Sequence, residues 1–339
     1  MVDLWQRWPR AWGAPPGKGC LRRLPEDFLV EELPATRPSG TGEHWWLRLR
    51  KRTLNTWEVA ERLARLAGVP TEAVGFAGLK DRRAVTVQSF SVPVTGREPP
   101  WTRLEGAGIE LLAVTRHSRK LRRGELTGNA FCIRIRDLQG DRKALEGRLA
   151  RIAQRGVPNY FGPQRFGRRG DNLRRAQALF EGARAPSRAL RGLWLSAARA
   201  WLFNEVLAER VRQGNWNRPL PGELLQLGSG VLQPALAPVG AAALVAQGRA
   251  HPTGPLWGRS GARPQPRGEA AALEQAVLAG QGPWCRGLEE AGLSRDRRAL
   301  RLSVARLEHR FEGDDLILTF ELPKGGYATA LLRELIKTP

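Results

Sequence analysis

The chain has 339 residues, 42% of them hydrophobic, which is long for one core and enough for two. Its 55 Lys and Arg against 33 Asp and Glu give a formal charge of +22. Most of that excess is arginine, which suits bidentate phosphate contacts and stacking on bases, so polyphosphate is the expected partner. A membrane surface competes for such charge; it is set aside because no basic amphipathic helix and no bilayer-length or signal-peptide-length apolar run stands out.

Cys20, Cys132 and Cys285 are far apart, with no zinc or disulfide spacing, and fit a reducing cytoplasm. His44, His117, His251 and His309 form no ligand cluster in the sequence, so no structural metal is expected. In chain order, 21–33 reads as extended and 44–49 as a strand. Thr53 is placed to cap a helix whose apolar face is Leu54, Trp57, Ala60, Leu63, Ala64 and Ala67, with Gly68 and Pro70 ending it. Residues 75–90 read as two extended arms around a turn that carries Asp81 between Lys80 and the pair Arg82 and Arg83. A basic stretch from Arg116 to Arg123 leads into 130–136. There Phe131, Ile133 and Ile135 alternate with Arg134 and Arg136, the pattern of a half-buried strand. A helix is predicted over 141–155, then a loop rich in glycine, arginine and aromatics over 156–173. Helices follow at 172–183 and 193–213. The stretch 214–265 is rich in Pro and Gly and poor in pattern, and 268–293 is helical. Strands at 300–311 and 316–322 flank a Glu-Gly-Asp-Asp turn, and a helix closes the chain over 327–337. This order suggests an insertion within an α+β domain.

No phosphate-binding Gly-x-x-x-x-Gly-Lys-Ser/Thr loop, no dinucleotide fingerprint and no acidic cluster for two-metal chemistry is present in the sequence. A nucleotide triphosphatase and a metal-dependent nuclease are therefore disfavoured. The framed carboxylate remains. On composition alone, Asp81 belongs to a charged hairpin tip with a solvated face. Its other reading is a nucleophile, since an ionised aspartate can attack an electrophilic carbon. Chemistry on a base in folded RNA also requires extrusion of the nucleotide into a pocket of aromatics and amides. Phe28, Asn129, Phe131 and Tyr327 have the right chemistry. By pattern alone, Phe131 is a core residue and Asn129 a turn residue. Phe28 fits either role, and Tyr327 can equally be packing at a helix start.

Gly78-Leu-Lys-Asp-Arg-Arg-Ala-Val-Thr-Val-Gln88 resembles the signature of the TruD family of tRNA pseudouridine synthases. Pro25–Glu31, Lys120–Phe131, Asn159–Gly167, Ser196–Asn204, Arg297–Arg301 and Gly326–Leu335 resemble further family elements, in family order along almost the whole chain. The resemblance implies an α+β fold. A pseudouridine synthase catalytic domain with a largely antiparallel sheet would take 1–155 plus 303–339. A mostly helical α/β TRUD domain would be inserted at 156–302. It further implies isomerisation of uridine to pseudouridine in tRNA, at uridine 13 of the D arm in bacterial members, with neither cofactor nor metal. Asp81 matches the catalytic aspartate. Phe28, Asn129 and Tyr327 match substrate-contacting positions, and Phe131 accompanies Asn129. Arg22 stands where the family often has lysine, and some members have phenylalanine at the position of Tyr327. Arg22 and Lys80 complete the expected site. The expected protein is a cytoplasmic monomer acting on tRNA without an obligate protein partner. The competing function is a non-catalytic RNA-binding or RNA-folding protein that uses the same basic cleft.

Overall fold

The computed structural model describes residues 4–228, 230–235 and 238–337. The fold is mixed α+β, with a large sheet and many helices. Two compact units are present. A strand-rich unit takes Gly17–Arg142 and Val304–Gly326 with the residues after Leu335; a mainly helical unit takes the residues before Gly17, Lys143–Ser303 and Tyr327–Leu335.

The strand-rich unit is built on β1 (Gly17–Leu21), β2 (Phe28–Pro34), β3 (His44–Arg52), β4 (Gly75–Phe76), β5 (Val85–Pro93), β6 (Ile109–His117) and β7 (Leu126–Gly140). A C-terminal hairpin, Ala305–Glu312 and Asp315–Pro323, extends the sheet by pairing its second strand with β7. From the hairpin inward the order is 305–312, 315–323, β7, β2, β5, β3, β6. Neighbours along this path run antiparallel except β2 and β5. Register places Phe28 opposite Ile133, Val30 opposite Phe131 and Glu32 opposite Asn129. Side chains alternate between faces along a strand. One face therefore carries Phe28, Val30, Glu32, Asn129, Phe131 and Ile133. The other carries Leu29, Glu31, Ala130 and Cys132.

The expected alternation of β7 is present, with Phe131, Ile133 and Ile135 buried. Asn129 is not in a turn: it lies within β7, between Glu32 and Leu322. Gly128 allows that close pairing, since a Cβ there would fall 2.3 Å from the Leu322 carbonyl oxygen. The helix after β3 is Thr56–Ala67, and its cap is Asn55, not Thr53. Asn55 Oδ1 accepts from Glu58 N at 2.9 Å, and Glu58 accepts from Asn55 N at 2.6 Å, a reciprocal capping box. Thr53 has φ 55°, outside the extended conformation of a capping residue. Gly68 ends the helix in the left-handed conformation. Val59, Ala60, Leu63 and Ala64 pack it on Leu47 and Leu49 of β3 and Phe90 of β5, whereas Trp57 stays half exposed.

In the helical unit, the helix Arg188–Arg212 starts earlier than the apolar periodicity does, because Ser187 caps it through Leu190 N. The described residues of 214–265 carry more regular structure than their pattern suggests. They include Leu224–Leu227, Leu232–Pro234 and Ala250–Leu256, which join Asp296–Ala299 in a four-stranded sheet, and the helix Pro238–Ala246. Pro252 and Pro255 inside a strand disguise it, since proline usually argues against one. Arg148, on the helix Arg142–Arg155, donates to Ala14 O and Glu334 O, and Arg333 donates to Trp8 O at 2.7 Å. These bonds draw the 143–155 helix, the chain start and 327–335 into the helical unit.

Candidate active site

Residues 77–84 form the loop between β4 and β5, and hydrogen bonds hold it along its length. Ala77 O accepts from Gly124 N at 2.7 Å, and Gly78 O accepts from Gln88 Nε2 at 2.5 Å. Lys80 N donates to Thr56 Oγ1 at 3.0 Å, and Thr56 Oγ1 donates to Gln88 Oε1 at 3.1 Å. Thr56, Gln88, Glu32 and Lys51 are each 4% exposed or less. The loop thus rests on a buried polar network, unlike a free hairpin tip.

Lys80 points inward. Its Nζ lies 2.7 Å from Glu32 Oε1 and donates to Asn129 Oδ1 at 2.9 Å, with the lysine side chain 7% exposed and the glutamate 4%. Lys51 Nζ donates to Leu54 O at 2.6 Å and to Asp81 O at 3.4 Å. Burial pushes the Lys51 ammonium down to about 8 from its ordinary 10.5; Asp81 acts against that shift and Lys80 adds to it.

Asp81 itself projects outward, with its side chain 54% exposed. Its Oδ2 accepts from the Arg22 guanidinium at 2.8 Å. Arg22 lies over the Phe28 ring, 4.0 Å from Cζ to centroid, a cation–π contact. Phe28 meets Phe131 edge-on at 6.2 Å, and Phe131 stacks on Phe320 at 5.1 Å. Arg22 has φ 56°, which costs a non-glycine residue about 1–3 kcal/mol and recurs at functional sites. Six of the seven residues expected from the sequence, Asp81, Lys80, Arg22, Phe28, Asn129 and Phe131, are therefore joined through direct contacts and buried partners in one unit. Glu32, Lys51, Thr56 and Gln88 were not anticipated. Each lies in a stretch whose one-dimensional pattern reads as a solvated face or a helix start.

A pocket of about 420 Å³ lined by Leu29, Val87, Ala130, Cys132, Thr319 and Glu321 opens on the other face of the same sheet. It holds none of the polar network beneath Asp81. Among the described residues no three His, Cys, Asp or Glu side chains gather to hold a metal ion, and no helix is long and apolar enough to cross a membrane.

The family model described as tRNA pseudouridine synthase D (TruD) matches residues 10–182 and 171–335. The chain belongs to the TruD family. Two curated relatives are both named tRNA pseudouridine synthase D. The one from Nitrosococcus oceani is 52% identical over 96% of this chain and 93% of its own. The one from Methylococcus capsulatus is 47% identical over 97% and 94%. A crystal structure from Methanosarcina mazei, assigned to tRNA pseudouridine synthase D, shares the fold. It superposes with a TM-score of 0.73 at 23% identity, over 97% of this chain and 95% of that one.

The seventh residue expected from the TruD resemblance, Tyr327, belongs to the helical unit. Its hydroxyl accepts from Arg165 at 2.8 Å, and its ring lies 6.0 Å from that of Phe161. Arg298 is stacked over Phe161 at 4.2 Å and lies 6.0 Å from the Tyr327 ring centroid. Burial pushes the Arg298 guanidinium down to about 10, which leaves it charged at neutral pH.

Proposed function

We propose that this protein isomerises uridine to pseudouridine in tRNA, at uridine 13 of the D arm, with Asp81 as the nucleophile. Membership of the TruD family supports the reaction class. The observation that carries the residue assignment is an exposed carboxylate on a loop fixed from beneath, paired with a guanidinium on an aromatic face.

The target nucleotide leaves its stack and enters beside Asp81. The carboxylate attacks the nucleoside at an electrophilic carbon, of the ribose or of the base. The bond from the ribose to N1 breaks, the uracil turns, the ribose bonds to C5, and the bond to Asp81 breaks to return the free carboxylate. C5 gives up its proton and N1 gains one, so substrate and product have the same composition and no oxidant or reductant is consumed. A uracil ring and a guanidinium are both flat and hydrogen-bonding. The place of Arg22 on Phe28 therefore suits the incoming base, with Arg22 moving toward phosphate. Asn129 and Lys80 fix the floor, Phe131 backs Phe28, and Tyr327 contributes an aromatic contact to substrate. Residues 1–155 with 303–339 form the catalytic body. The segment 156–302 is the inserted TRUD domain.

Asp81→Asn tests the assignment. Pseudouridine formation, read by mass spectrometry of digested tRNA, falls to background while tRNA binding persists. Pseudouridine made by the Asn variant would assign the chemistry elsewhere.

A further inference from the structure

The helical unit carries two buried arginines that follow the usual rule for buried charge. Arg210 is paired with Glu223 at 2.7 Å, and Arg297 is paired with Glu274. Arg301 breaks that rule. It is 7% exposed, and among the described residues no carboxylate pairs with it. Its guanidinium donates to Val245 O at 2.7 Å and Gln154 O at 3.2 Å, and its Nε has no acceptor. A buried cation without a counter-ion is costly, and neutral carbonyls offset only part of that cost.

Arg301 lines a cavity of about 540 Å³ whose wall also includes Arg155, Asn217 and Arg218, with Pro219, Ala242 and Ala246 as apolar surface. Arg155 and Arg218 are exposed, and neither has a carboxylate partner among the described residues. Three guanidinium groups and an amide thus share one cavity with no acid to neutralise them. The nearby His251 adds no charge: burial and the charge of Arg301 lower its imidazole to about 4.

The geometry points to a phosphate-binding site in this cavity, with Arg301 as its buried anchor and Arg155 and Arg218 at its rim. Guanidinium forks match the tetrahedral oxygens of phosphate, and such charge-assisted pairs are the stronger class of hydrogen bond. The occupant is a phosphate group, from an RNA backbone or free in solution. The site stands whether or not Asp81 is the nucleophile, because phosphate binding needs no turnover.

The full-length protein without RNA is titrated with inorganic phosphate against chloride at matched ionic strength, followed by calorimetry and thermal unfolding. Wild type is expected to bind phosphate and unfold at higher temperature as it saturates. The rim variant R155A/R218A, which alters only exposed side chains, is expected to bind phosphate at least about tenfold more weakly. Filter binding of tRNA then separates the sources. If the RNA backbone is the occupant, the rim variant loses tRNA affinity beyond the loss in a charge control, R184A/R188A, and its salt slope falls by about one to two. If free phosphate is the occupant, phosphate binding weakens while tRNA affinity matches the control. Wild type with no preference for phosphate over chloride, together with tRNA binding no weaker in the rim variant than in the control, overturns the proposal.

Discussion

Replacing Lys51 with methionine separates two roles of one buried ammonium. The side chain is 1% exposed, and its pKa is lowered from 10.5 to about 8. In that window the unfolded chain binds more protons than the folded one. The folded protein therefore gains stability as pH rises, fully by about 10.5, and loses it as pH falls through about 8. Between about pH 7 and about pH 9.5 the gain from this one group is about 2 kcal/mol. Methionine carries no proton, so the Lys51→Met protein lacks that gain. At neutral pH the substitution also relieves a desolvation cost of about 3 kcal/mol. Against this, the Leu54 carbonyl loses its donor at 2.6 Å, a loss of about 1–3 kcal/mol. Stability at neutral pH should thus stay within about 2 kcal/mol of wild type. Turnover should not survive so well, because the tether on Asp81 O is gone. A misplacement of about 1 Å costs up to about a hundredfold. Urea unfolding at both pH values and pseudouridine formation at saturating tRNA read the two effects. An unchanged pH dependence of stability, or wild-type turnover in the methionine variant, would refute the reasoning.

Glu32→Gln leaves the Lys80 ammonium buried beside a neutral amide; breaking such a pair costs about 3–5 kcal/mol, visible as a lowered urea midpoint. Adding Lys80→Met should restore much of that stability without restoring pseudouridine formation. Asn55→Ala removes the side-chain half of the capping box, the bond from Glu58 N, and should cost about 1 kcal/mol in the same assay.

The sequence made some of this site legible and concealed the rest for definite reasons. Asp81 stood out because no other chemistry-bearing pattern competed with it. The alternation of Phe131, Ile133 and Ile135 identified the strand beneath it, although the strand runs to Leu126–Gly140. Lys51 was hidden between Arg50 and Arg52, which are exposed. Strand alternation turns the middle residue inward, but three consecutive cations look like one solvated run. Glu32 was hidden likewise beside Glu31, whose partner Arg48 lies on the opposite face. Lys80 shares its motif with exposed neighbours, and its inward turn depends on Glu32 and Asn129, which are distant in the chain. Arg301 entered only as the last residue of an element resembling the TruD family, because burial without an acid partner is a three-dimensional property.

The placement of the C-terminal hairpin has a consequence for biogenesis. Its second strand zips onto β7, where Arg134 and Asp315 meet at 2.9 Å although 181 positions separate them. The ribosome therefore releases β7 long before the strand that covers its flank exists. For that interval a row of unpaired amides and carbonyls faces the crowded cell, an invitation to mispairing with other nascent chains. Fast synthesis of the intervening segment, or a chaperone that shields that flank, would shorten or mask this vulnerable period.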